Sequence, residues 1–315
     1  MSLFPRNLKE YAAAALAGIP QSKGSKVFLV DYVNGSDSNP GTNWEAPLKT
    51  VEAAYALCTT LKNDVVLLVG NGTSNLTTAA IVWAKDFTHL VGLNSGGPEP
   101  RSRIKPPAAL ATTPFITWSG DGCIVKDISF WHETSNAAGL VNVSVTGERN
   151  TFTGCQFAGG VGANAATGAR SLKVAGSGNT FKECVIGLDT IMSVNGMAGV
   201  EFDAGAMHTS FLDCEFLTST NGTTYAHATV PAAADVGRYN VFKRCIFINQ
   251  GNGVMAEVFI VGAALPVSSQ VYAIDCWMYG ATDWNNTNNG LITNVTIAAN
   301  TTGVNSGNIL VKTSG

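Results

Sequence analysis

Five short segments repeat along this chain: Asn150-Thr-Phe-Thr-Gly-Cys155-Gln-Phe157, Asn179-Thr-Phe-Lys-Glu-Cys184-Val-Ile186, Thr209-Ser-Phe-Leu-Asp-Cys214-Glu-Phe216, Asn240-Val-Phe-Lys-Arg-Cys245-Ile-Phe247 and Val271-Tyr-Ala-Ile-Asp-Cys276-Trp-Met278. Successive cysteines lie 29, 30, 31 and 31 residues apart. A sixth segment, Val125-Lys-Asp-Ile128-Ser-Phe130, puts Ile128 in the cysteine column, 27 residues before Cys155. A period near 30 belongs to stacked solenoid repeats, whose units bury their apolar faces against their neighbours. Helical repeats share this period, so the pattern inside each unit has to decide.

That pattern is one of strands. Each unit has an apolar column at Val125, Phe152, Phe181, Phe211 and Phe242. The cysteine column follows three residues later, and Phe130, Phe157, Ile186, Phe216, Phe247 and Met278 two residues after that. The last two columns share strand parity, so both can face inward. The first is out of phase, and a bend across the intervening polar pair, as in Lys182-Glu183, restores it. A further strand series lies at 140–145, 171–174, 200–202, 227–230 and 257–261. Gly- or Asn-rich stretches read as turns between the series, among them Gly159-Gly-Val-Gly162 and Asn249-Gln-Gly-Asn-Gly253. No helix of ten residues fits between them. The expectation is an all-β chain, a right-handed parallel β-helix of about eight coils.

Composition agrees. Hydrophobic residues are 45%, charged residues 13%, and Gly numbers 34, which suits many short strands and tight turns rather than disorder. The net charge of −3 and the lack of any basic run longer than Arg101-Ser-Arg-Ile-Lys105 argue against nucleic acid. No stretch of about 18 apolar residues suggests a membrane span. The segment Tyr11–Ile19 resembles a secretion signal only weakly, since Glu10 borders it and Ala dominates it. Seven cysteines without a Cys-x-x-Cys pair point away from zinc and from a disulfide framework. Ile128, Cys155, Cys184, Cys214, Cys245 and Cys276 are therefore expected as a buried core ladder of small apolar groups. Asn150, Asn179 and Asn240, with Thr209 between, form a second column, expected as a side-chain hydrogen-bond ladder.

The opening third is a strand, a turn-rich loop and a helix. Thr50 is the expected N-cap, and Val51, Ala54, Tyr55, Cys58 and Leu61 form a helical stripe ended by Asn63-Asp64. Val65–Val69 follows as a buried strand. The run Val33-Asn-Gly-Ser-Asp-Ser-Asn-Pro-Gly-Thr42 with Ala46-Pro-Leu-Lys-Thr-Val-Glu-Ala-Ala54 resembles the opening module of pectate-lyase-like β-helix proteins, in which such a helix caps the first coil. The resemblance covers roughly residues 28–300. It implies the fold, while enzymes, adhesins and phage structural proteins all share it. The expected organisation is an anchoring arm and linker over 1–27, a cap over 28–64, the solenoid over 65–300 and a tail over 301–315. In the loop from Asp31 to Asn39 a turn is the expectation, with calcium as the alternative, since EF-hand spacing is absent. The expected attachment residues of the arm are Leu3 and Phe4, before Pro5, and Leu8, Tyr11 and Leu16 on a short helix from Leu8 to Ala17 that needs a docking surface.

Two groups of acids could be catalytic. The residues before the cysteine column read Asp127, Gly154, Glu183, Asp213, Arg244 and Asp275, which makes Glu183 and Asp213 neighbours with Arg244 one coil on. Glu201 and Asp203 share a strand face, with Lys173 expected below and His227 above. Glycosidases need paired carboxylates of this kind. Solvated, partly charge-balanced outer strand faces are the expected reading of both groups. No lyase motif surrounds them, the four His are dispersed, and no metal or other cofactor is expected. Trp131, Trp277 and Trp284 would suit sugar stacking or subunit contacts. Residues 251–315 hold only Glu257, Asp275, Asp283 and Lys312 as charged side chains, which suits a subunit interface. The resemblance implies a phage virion protein: a homotrimeric capsid decoration protein or short spike. It would be assembled in the host cytoplasm and bind other virion proteins, such as the major capsid protein, through its arm. The alternatives are a tailspike-type polysaccharide lyase or glycosidase, and an adhesin that binds a host surface glycan.

Overall fold

The computed structural model describes residues 16–76, 80–93, 102–106, 111, 113–133, 136–161, 166–194, 196–262, 265, 271–285 and 291–294. Its architecture is a parallel β-helix with three walls. The first sheet has ten strands, from Val27–Val30 through Asp64–Val69, Thr151–Thr153 and Asn240–Lys243 to Leu291–Asn294. The second has eight, from Thr73–Asn75 to Trp277–Tyr279, and the third seven, from Ile81–Trp83 to Phe259–Val261. One coil runs Ile124–Lys126, Ser129–Glu133, Val141–Val145, giving one strand to each wall. All pairings between successive coils are parallel. Connections between parallel strands of one sheet take the right-handed sense.

The corner between the first two walls is set by one residue per coil. Asp127, Gly154, Glu183, Asp213, Arg244 and Asp275 all have φ between 53° and 61°, except Arg244 at 52°. This left-handed conformation turns the chain between two strands that are out of phase with each other, and the cysteine after it points inward. Gly154 has a second reason to lack a side chain, because a Cβ there would lie 2.5 Å from Asp127 Oδ1. A second left-handed column, Gly122, Arg149, Gly178, His208 and Tyr239, makes the corner that returns to the first wall.

Inside, Phe152, Phe181, Phe211 and Phe242 stack with ring centroids 4.9, 4.7 and 4.7 Å apart and planes within 10°. Ile128, Cys155, Cys184, Cys214 and Cys245 are buried and Cys276 is half-buried; all the cysteines are free thiols. Each thiol donates to the carbonyl one coil back, Cys184 to Phe152, Cys214 to Phe181, Cys245 to Phe211 and Cys276 to Phe242, at 3.4–3.5 Å. The ladder is thus apolar in volume and still satisfies its weak donors. The asparagine column works differently from the side-chain ladder expected. Asn179 Oδ1 accepts from the Asn150 N–H at 2.9 Å, Asn240 Oδ1 accepts from the Thr209 N–H at 3.1 Å, and Asn179 Nδ2 donates to the Gly147 carbonyl. These side chains satisfy buried backbone at the left-handed corner rather than each other.

Two local expectations are corrected. The cap helix is only Val51–Leu57; Leu61 lies beyond it, exposed and at φ 62°. Cys58 turns to an extended conformation, and Lys85 Nζ donates to the carbonyls of Tyr55, Ala56 and Cys58, closing the helix C-terminus. At the other end Thr50 Oγ1 accepts from the Ala53 N–H, and Asp37 fixes Thr50 by accepting from its N–H and hydroxyl. The stretch from Gly159 is not a turn, because the strand runs Gln156–Val161 with an irregular register. A Cβ on Gly159 would meet the Asn142 Cβ at 2.1 Å, so this glycine permits close approach of the third wall.

Of the arm, Leu16 lies among the described residues, whereas Leu3, Phe4, Leu8 and Tyr11 lie outside them. Leu16 packs with Ile19 on the outer side of the first wall, against Val27, Leu29, Val65, Leu67 and Val91. Among the described residues no helix is long and apolar enough to cross a membrane.

Candidate functional site

The third wall carries the densest group of charges. Glu201 pairs across the strands with Lys173 and then Thr229, not with His227. Arg170 Nε donates to Glu201 Oε2 at 2.7 Å, with both side chains mostly buried. Lys173 Nζ bridges Glu201 Oε1 at 3.2 Å and Asp203 Oδ2 at 2.9 Å. Burial works against the charge on Lys173, but the hydrogen bonds it donates to Asp203 and Glu201 outweigh that and raise its pKa. The Arg170 guanidinium also donates to the carbonyls of Ala169 and Gly196. Two cations therefore meet two carboxylates in a closed network.

Arg170 is the member that the sequence reading missed. It opens the strand Arg170–Val174 at opposite parity to Lys173, so simple alternation assigns it to the other face. His227 is corrected from outward to inward. It is buried beside the rings of Phe216, Tyr225 and Phe247. Burial pushes its pKa down to about 3, and neither ring nitrogen has a hydrogen-bond partner among the described residues. His132 is likewise buried, with its pKa pushed down to about 4 by burial.

At the corner column, the register of Lys182 with Leu212 makes Glu183 and Asp213 neighbours. Asp213 is clamped by Arg244, with Nε and Nη2 at 2.6 and 2.7 Å from its two oxygens, and this pairing lowers its pKa. Glu183 pairs with Lys182 at 3.2 Å. Asp127 is raised by burial, which outweighs Lys126. In the loop from Asp31, the carboxylate accepts from the N–H groups of Val33 and Asn34 and from the amides of Asn34 and Asn71. Burial would raise Asp31, yet those four bonds hold it below the usual range. Its oxygens, like those of Asp37, are engaged in holding the turn. Among the described residues no group of three or more His, Cys, Asp or Glu is placed to hold a metal.

The tryptophans divide. Trp131 stacks under the Arg103 guanidinium at 4.5 Å, Trp284 packs against Phe247 and Phe259, and Trp277 is open to solvent.

No protein-family model matches the chain, and no curated protein matches its sequence. Solved structures match its shape. A pectin methylesterase in complex with a hexasaccharide is 14% identical, with a TM-score of 0.61 over 90% of this chain and 93% of that one. A rhamnogalacturonan lyase is 13% identical, with a TM-score of 0.52 over 85% and 73%. Geobacillus virus E2 ORF18 overlays more loosely, with a TM-score of 0.46 at 12% identity over 78% and 58%, too loosely to bear on function. The better overlays establish the fold, a parallel β-helix, which hosts more than one chemistry.

Proposed function

We propose that this chain is a non-enzymatic structural protein of a phage virion surface, a capsid decoration protein by preference over a spike. One observation carries the non-enzymatic half: the carboxylates that stack on the outer walls are engaged in the fold. Glu201 is held by Arg170 and Lys173, Asp203 by Lys173, and Asp213 by Arg244 in a two-point clamp. A hydrolytic pair needs one carboxyl kept protonated and one free to act. Asp213 instead has its pKa lowered. The virion half rests on the sequence resemblance and on the thiol ladder. Seven free cysteines, six of them buried, suit a protein that matures and assembles in a reducing cytoplasm.

A second reading has its own observation. The network of Arg170, Lys173, Glu201 and Asp203 sits on the third wall of a fold shared with enzymes that act on polysaccharides. The test is product release from a panel of acidic and neutral polysaccharides by the full chain and by Glu201→Gln and Asp203→Asn. The expected result is no product above the rate without protein. Turnover that disappears in either variant, with thermal stability unchanged, would favour the enzyme.

A further inference from the structure

Four Asn-Gly steps lie wholly among the described residues: Asn34-Gly35, Asn71-Gly72, Asn221-Gly222 and Asn252-Gly253. In such a step the glycine nitrogen can attack the asparagine side-chain carbonyl, because the glycine carries no side chain to obstruct the approach. The nitrogen must first lose its proton, and the backbone must rotate. A hydrogen bond donated by the glycine N–H opposes both, since the fold has to open there before reaction. Three of the four steps carry such a bond. Gly35 N–H donates to the Asp31 carbonyl at 2.8 Å, Gly222 N–H to Thr220 Oγ1 at 2.9 Å and Gly253 N–H to Asn221 Oδ1 at 3.0 Å. Gly35 is also hemmed in, with its Cβ direction only 2.1 Å from the Leu48 carbonyl oxygen.

Gly72 differs. Among the described residues its N–H has no acceptor. Asn71 and Gly72 are both exposed, between the strands Asp64–Val69 and Thr73–Asn75. We infer that Asn71-Gly72 is a modification site at which the folded chain deamidates itself. The Gly72 nitrogen, its proton lost to solvent, forms a bond to Asn71 Cγ. The Cγ–Nδ2 bond breaks, and the nitrogen leaves as ammonia after taking a proton from solvent. Water then opens the cyclic imide. Attack at Cγ gives aspartate, and attack at the backbone carbonyl carbon gives isoaspartate. The sum consumes water and releases ammonia, with no oxidant or reductant.

The position gives the change a consequence. Asn71 Nδ2 donates to Asp31 Oδ1 at 2.9 Å, beside the N–H groups of Val33 and Asn34 and the Asn34 amide. Deamidation removes that donor and sets a second carboxylate beside Asp31, where like charges repel. The Asp31 turn joins the strand Val27–Val30 to Asp37, which fixes the helix N-cap Thr50. The product does not revert, so the hold on the cap weakens with the age of the molecule. The inference is independent of the virion reading, and the two can fail separately.

The test is incubation of the full chain in mildly alkaline buffer, with peptide mapping by mass spectrometry at intervals for replacement of the amide NH2 by OH. Asn71 should convert several-fold faster than Asn34, Asn221 and Asn252. In urea, where every step is followed by an unprotected glycine, that order should collapse. Gly72→Ala should slow conversion at Asn71 several-fold and leave the other three unchanged. Its Cβ would meet only side chains, Val33 Cγ2 at 3.2 Å and Tyr32 Cδ1 at 3.5 Å. Any of the other three converting as fast as Asn71 in the folded chain would overturn the inference, and so would an order that persists in urea. Should Gly72→Ala not fold, the order in the natural chain decides alone. Asn71→Asp should lower the urea midpoint, and an unchanged midpoint would overturn the consequence for the cap.

Discussion

The first and the last described coils of the solenoid are covered differently. At the start, Leu48, Val51, Ala54 and Cys58 close the core from above, while Leu16 and Ile19 cover the outer side of the first strands. At the far end, the cysteine and phenylalanine columns run out into Cys276 and Met278, half-buried, with Trp277 and Tyr279 open beside them. The same repeat positions have different fates because a coil in a stack is finished only by what lies on both sides of it. The first coil is finished by its own chain. Among the described residues, the coil of Val271–Ile274 and Trp277–Tyr279 has no helix such as Val51–Leu57 beside it.

The comparison can be broken first at the aromatic column. Phe181→Ala, in the middle of the stack, should cost about 3–5 kcal/mol by urea titration, and Met278→Ala, at a half-buried position, much less. Equal losses would mean that the far end is as well packed as the middle.

Acid sharpens it next. His132 and His227 are buried neutral, with folded pKa values lowered to about 4 and about 3 from 6.5. The unfolded chain therefore binds more protons below pH 6.5. Stability is fully present above that value and is lost as pH falls toward the folded pKa values. While a buried His stays neutral, each pH unit below 6.5 costs about 1.4 kcal/mol, so roughly 2 kcal/mol for each His at pH 5. His227→Phe should flatten the acid limb of a stability–pH curve by about one proton, and an unchanged slope would count against a buried neutral His227.

The cap comes third. Thr50→Ala removes the N-cap and should cost about 1 kcal/mol. Hydrogen exchange should rise in residues 51–69 and stay level in 271–283. The smallest effect is expected at the exposed corner, where Arg244→Ala should leave the unfolding midpoint in place, because surface ion pairs add little. A clear drop would mean that the corner clamp supports the stack.

Much of this fold was legible in the sequence because a repeat multiplies each signal. One cysteine says little, whereas five at near-equal spacing, each followed two residues later by Phe, Ile or Met, define a wall and its inner face. The out-of-phase Phe column already demanded a corner between Phe181 and Cys184. Its left-handed conformation was less visible, since Glu183, Asp213 and Arg244 occupy a backbone state that local propensity assigns to Gly or Asn. Stacking against identical corners imposes it. Where a feature occurs once, the reading failed. Gly159 serves a contact with Asn142 that no local pattern announces. The cap helix is closed by Lys85, nearly thirty residues away in sequence. Arg170 reaches Glu201 from the start of a strand, against the alternation that orders the residues after it.

The claim that this scaffold is a virion component is tested most directly by immunogold labelling of phage particles from the source, with antibody raised against the chain. The account predicts label over capsids. Label on no particle, with the protein found free instead, would contradict it.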